Sequence, residues 1–153
     1  MNRKIIAASA AIIAIAAVSI SAVAASPAKT IEAREANFKA MGKAMKGLTE
    51  QLRSPTPDMA VIKASAAALS QAAPKVGGHF PKGTGPESGV KTHALPAIWE
   101  KPADFKAAVA KLQTGVKAMQ AAAQSGNIDA VKAAVPGVGG ACKGCHEQFK
   151  ARD

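Results

Sequence analysis

Apolar residues return at alternating intervals of three and four along most of this chain, with alanine and lysine filling the positions between. Such spacing lines up one face of an α-helix. Ile31, Phe38, Met41, Met45, Leu48 and Leu52 form the first stripe, and Arg34 interrupts it. Ser-Pro-Thr-Pro-Asp at 54–58 predicts the end of that helix and the start of another, Pro55 suiting a turn and Pro57 a first helical position. The second stripe is Met59, Ile62, Ala66, Leu69 and Ala73, and it stops before Pro74. A third begins near Pro102 and runs through Phe105, Val109, Leu112, Val116, Met119 and Ala123. Asn127 suits the N-cap of a fourth helix, with Asp129 favourable in its first turn. That helix carries Ile128, Val131, Val135, Val138, Cys142, Cys145 and Phe149 on its inward seam. Pro136 and the glycines at 137, 139 and 140 predict a kink, or a break just before the cysteines.

Residues 74–101 lose the period. Five glycines and Pro74, Pro81, Pro86 and Pro96 predict a long loop there, and loops of that length inside a compact domain usually carry function. Four amphipathic helices with short first and third connections predict an all-α fold, an antiparallel four-helix bundle. No internal repeat or second domain is visible.

The first 25 residues follow another pattern. Arg3 and Lys4 precede an uncharged run from Ile5 to Ala25 that is mostly Ala and Ile and ends in small residues. This predicts a cleavable secretory signal over 1–25 and a single domain over 26–153. The competing reading is an uncleaved membrane anchor. Nothing later in the chain suits a membrane span, so the mature protein is expected to be soluble and periplasmic. The formal net charge is +10, and loss of Arg3 and Lys4 with the leader leaves +8. The lysines are scattered at helical spacing, and tyrosine is absent. These features argue against nucleic acid and for a solvated basic surface that can steer an acidic redox partner.

Both cysteines stand in Ala-Cys-Lys-Gly-Cys-His-Glu-Gln-Phe-Lys, 141–150. Export favours disulfides, but residues three apart would close a small, strained loop. Cys-x-x-Cys-His is the attachment signature of c-type haem. On a helix, positions i, i+3 and i+4 lie on one side, so Cys142 and Cys145 can form thioethers to the haem vinyl groups while His146 binds the iron. A zinc site needs four ligands, which His79 and His93 would have to complete. A thioredoxin-like redox pair would sit beside a βαβ unit, and no strand pattern is present. The sixth iron position decides function: a second strong ligand makes an electron carrier, an open position a site for a small gas. Met41, Met45, His79 and His93 are the candidate sixth ligands; plain core packing of the methionines is the competing reading.

Three segments, "REANFKAMG" (34–42), "ALPAIW" (94–99) and "GGACKGCHEQFK" (139–150), together with the helix lengths, resemble the cytochrome c′ family, class II of the cytochromes c. That family is itself a standard example of the four-helix bundle, and the likeness spans nearly all of 28–151. The resemblance implies one covalently attached haem c near the C-terminus, with His146 as axial ligand. It implies that Phe38, where low-spin relatives have methionine, covers the open haem face. Phenylalanine has no lone pair to give, so the iron is expected to be five-coordinate. Such a site takes nitric oxide and carbon monoxide, and no enzyme chemistry is expected. Arg34 would pair with a haem propionate, its rival reading being a side chain that reaches to solvent. Glu35, Thr92 and His93 would lie along the haem edge, and Lys150 near the proximal imidazole. A homodimer through the first two helices is expected. The alternative within the same family is a six-coordinate, low-spin electron-transfer cytochrome.

Overall fold

The computed structural model describes residues 25–152. The signal-peptide reading of 1–25 therefore lies, except for Ala25, outside the described residues. Four long helices make the bundle: α1 (Pro27–Arg53), α2 (Met59–Ala72), α4 (Pro102–Ser125) and α5 (Ile128–Phe149). A four-residue helix, α3 (Ala97–Glu100), precedes α4. α1 packs on α2, α2 on α4 and α4 on α5, and α5 closes the ring against α1.

Local chemistry sets the helix ends. Ser26 caps α1, its hydroxyl accepting from the Lys29 N–H, and Pro27 opens the helix without a donor to lose. The Asp58 carboxylate caps α2 through the N–H groups of Ala60 at 2.8 Å and Val61 at 3.4 Å. Pro57 thus lies before the cap instead of at a first helical position. Gly126, at φ +73°, ends α4 in the left-handed region. One residue later the Asn127 side chain accepts from the N–H groups of Asp129 and Ala130.

The predicted break in the last helix does not occur: α5 is continuous through Pro136. Pro136 removes the hydrogen bond to the Lys132 carbonyl four residues earlier. Both residues are exposed, so water can satisfy that oxygen. The helix therefore carries Cys142, Cys145 and His146 on unbroken backbone.

The loop is also more ordered than its lost period suggests. Single 3-10 turns occupy Ala73–Lys75, Gly77–His79 and Pro86–Ser88. Its end pairs with the C-terminus of α5: the Leu95 N–H donates to the Phe149 carbonyl at 3.0 Å, and the Ala151 N–H to the His93 carbonyl at 2.8 Å. These bonds form an isolated antiparallel bridge between Ala94 and Lys150. They bring Thr92 and His93 beside the end of the helix that bears the Cys-x-x-Cys-His segment.

The α4 stripe is buried as its spacing predicts, from Phe105 to Ala123. Leu48, Ile62, Leu69 and Val131 join it at the bundle centre. All four phenylalanines and Trp99 gather at one end of the bundle in edge-to-face contacts.

Candidate functional site

At that aromatic end lies a cavity of about 570 Å³, within the range of roughly 300–1,000 Å³ usual for cofactor clefts. α1 contributes Arg34, Glu35, Phe38, Met41 and Met45 to its lining. α5 contributes Cys142, Cys145, His146, Phe149 and, at its cap, Lys150. The loop adds Phe80, Thr92 and His93, and α4 adds Phe105, Val109 and Leu112. Apart from His79, every residue singled out from the sequence as a haem contact thus borders one largely apolar space.

Cys142 and Cys145 are half-buried and unpaired. Burial pushes both thiols above their ordinary range, with the neighbouring Cys142 adding to the effect on Cys145. Among the described residues no three His, Cys, Asp or Glu side chains come together to hold a metal ion. Cys142, Cys145 and His146 by themselves fall short of the four ligands of a structural zinc site. Two neutral thiols and one imidazole, on one helix face beside an apolar cavity, do fit a covalently held haem.

His146 is exposed at the rim. Its pKa is nonetheless lowered, first by partial desolvation and then by the charge of Lys150. Both effects favour the neutral imidazole, whose lone pair is what a metal ligand needs. His146 and Lys150 also border a second, smaller cleft with Lys143, Glu147 and Arg152.

Arg34 is only 3% exposed, so its side chain does not reach to solvent. Its Nε donates to the His79 carbonyl at 3.0 Å. One terminal nitrogen donates to the Thr92 hydroxyl at 3.3 Å, the other to the Thr84 carbonyl at 2.9 Å and hydroxyl at 2.6 Å. Its Cζ lies 4.2 Å from the centroid of Phe80, a cation–π arrangement. Burial lowers its pKa while Glu35 and Glu87 raise it, and a guanidinium stays charged throughout. Four of its five N–H donors are thus committed to the loop.

The candidate sixth ligands separate. Met41 is buried and Met45 half-buried, and both line the cavity. The Met41 sulfur already meets the Asn37 amide at 4.0 Å. His93 borders the cavity, whereas His79 does not. Phe38 lines the cavity and meets Phe80 edge-on, with ring centroids 6.2 Å apart.

Sequence reasoning missed three residues here. Thr84 receives two bonds from Arg34, Phe80 is the hub of the aromatic cluster, and Trp99 donates its Nε1–H to the carbonyls of Phe80 and Pro81. The "KGTGP" stretch was a legible turn signal for Thr84, since Gly83 takes φ +79°. Nothing local marked Phe80.

Residues 29–150 match the family model described as Cytochrome C'. A cytochrome c′ from Pararhodospirillum photometricum is 35% identical over 127 residues, covering 82% of this chain and 99% of that protein. The crystal structure of cytochrome c′ from Thermochromatium tepidum superposes with a TM-score of 0.78 at 31% identity, over 84% of this chain and 98% of that one. A ferrous variant of cytochrome c prime from Alcaligenes xylosoxidans with bound NO gives a TM-score of 0.76 at 28% identity, over 86% and 100%.

Proposed function

This chain belongs to the cytochrome c′ family, whose members carry covalently attached haem c, and on that premise we propose that it is an exported haem protein whose iron takes nitric oxide or carbon monoxide at an open axial position. Cys142 and Cys145 would hold the haem through thioethers, and His146 would bind its iron. Bound haem supplies a redox-active iron that can accept one further ligand. The protein's own part is to tether it, exclude water and decide what reaches that position.

The observation that carries this reading is Phe38. It lines the cavity from α1 while His146 borders it from α5, and its ring has no atom to coordinate iron. The cavity-lining side chains beside Phe38, Met41 on its own helix and Phe80 against its ring, are apolar, and carbon monoxide and nitric oxide need no hydrogen-bond donor to bind. The NO-bound relative supports the assignment. Partial burial and then the charge of Lys150 favour the neutral form of His146, and Lys150 would add positive charge on the proximal side. Arg34, with one donor uncommitted, can give a propionate at most a single bond, and Glu35, Thr92 and His93 border the same rim. Export to the periplasm follows from the leader, and pairing of two copies through α1 and α2 from the family likeness. The molecule acts as a binder or carrier and not as an enzyme.

A second reading rests on Met41 and Met45, which also line the cavity. It makes the protein a six-coordinate electron-transfer cytochrome. One absorption experiment separates the two. The reduced holoprotein is expected to be high-spin and to change its spectrum on adding carbon monoxide. A low-spin spectrum indifferent to the gas selects the second reading.

A further inference from the structure

We propose that Phe80 controls how fast a diatomic gas enters the cavity, by backing Phe38 and limiting how far that ring can yield, and that Arg34 and Trp99 clamp Phe80 in place. The inference rests on the five-coordinate reading and extends it to residues outside the haem-binding signature.

Phe80 sits in a loop, yet its surroundings are those of a core residue. Its ring meets Phe38 at 6.2 Å, Trp99 at 6.2 Å and Phe105 at 5.0 Å between centroids, all edge-to-face. The Arg34 guanidinium covers it at 4.2 Å. The backbone around it is held from two directions. Arg34 bonds the carbonyls of His79 and Thr84, on either side of it in sequence. The Trp99 Nε1–H donates to the Phe80 carbonyl at 3.1 Å and to that of Pro81 at 3.3 Å.

Arg34 and Phe38 stand four residues apart on α1, so one turn of helix carries both the clamp and the ring it steadies. Phe38 is half-buried, and Phe80 is its one aromatic neighbour among the described residues. A ring that must swing to admit a gas therefore moves against Phe80. Phe80 yields only if the loop moves, and the loop is tied by charge-assisted hydrogen bonds, stronger than neutral ones. Phe80 is thus a positioning residue that acts through Phe38.

The test uses the reduced holoprotein and the rate of carbon monoxide association. Phe80→Leu opens space behind Phe38 and is expected to speed association roughly threefold to tenfold, the scale of one lost edge-to-face pair. In a Phe38→Ala background the same change is expected to do nothing, because the ring it steadies is gone. Arg34→Lys keeps the charge but loses the planar fork. It is expected to speed association in the same direction and to hasten trypsin cleavage after Lys82 and Lys91 in the loop. Unchanged association in Phe80→Leu, or equal acceleration with and without Phe38, overturns the gate. Unchanged cleavage in Arg34→Lys overturns the clamp. A wild-type holoprotein that binds no carbon monoxide overturns the five-coordinate reading itself, and the gate with it.

Discussion

Gly115 on α4 and Gly137 on α5 touch backbone to backbone: a β-carbon on Gly115 would stand 3.1 Å from both the carbonyl carbon and oxygen of Gly137. Helix α5 carries the Cys-x-x-Cys-His segment, so this crossing sets the distance of that segment from α4. Alanine at 115 would gain about 1 kcal/mol of helix propensity. Against that, overpacking costs about 1–3 kcal/mol, and here the obstacle is main chain of a long helix, which yields little. Gly115→Ala is expected to lower stability by roughly 1 kcal/mol, a fall of a few degrees in Tm. Gly140→Ala, where a β-carbon meets nothing within 4 Å, should raise stability by about 0.5–1 kcal/mol. Thermal unfolding of the two variants reads the contrast in sign.

The tether has a direct chemical readout. Haem should remain with the wild-type chain through acid–acetone extraction, since thioethers are covalent. Cys142→Ser and Cys145→Ser should each retain it through the remaining bond. The double variant should release it quantitatively to the solvent, and haem that stayed with the double variant would contradict the assignment of both residues.

Replacing Phe38 by methionine offers the iron a thioether where a hydrocarbon ring stood. Phe38→Met is expected to turn the reduced spectrum low-spin and weaken carbon monoxide binding about tenfold or more, because the gas must displace a bonded sulfur. Gas binding equal to wild type would remove Phe38 from the open face.

His79 makes acid stability measurable. Burial first, then Arg34 and Lys75, hold its pKa below the ordinary 6.5, and its Nε2 is buried without a hydrogen-bond partner. The unfolded chain therefore binds the proton more readily than the folded one. Its contribution is intact above pH 6.5 and is lost as pH falls from there towards the lowered folded value. In the proposed holoprotein, iron ligation would remove His146 from titration. Urea midpoints compared at pH 7.5 and 5.5 should show wild type losing stability on acidification, and His79→Gln losing less.

Much of this architecture was legible in the chain because helical periodicity is a local property. Every stripe residue from Phe105 to Ala123 is buried, and Asn127 caps the helix its spacing predicts. The Cys-x-x-Cys-His segment was readable for the same reason, since one helical turn suffices to put two thiols and an imidazole on one side. Misreadings arose where a local signal met a non-local answer. Pro136 and the nearby glycines predicted a kink or a break; the break does not occur, because the exposed side of α5 lets water replace the missing bond. Residues 74–101 looked formless, but they dock on α1 and on the end of α5.

What the amino-acid order determined alone was the four long helices, the placing of Cys142, Cys145 and His146 on one side of the last of them, and a non-coordinating Phe38 on the first stripe. Tertiary structure decided what surrounds them. It brought α1, α5 and the loop around one cavity, turned Arg34 inward onto Thr84, Thr92 and the His79 carbonyl, and set Phe80 behind Phe38. Those partners lie 45 to 58 residues from Arg34 along the chain. No periodicity reaches so far, because such contacts are chosen by the packing of whole helices and not by the neighbours of any one residue.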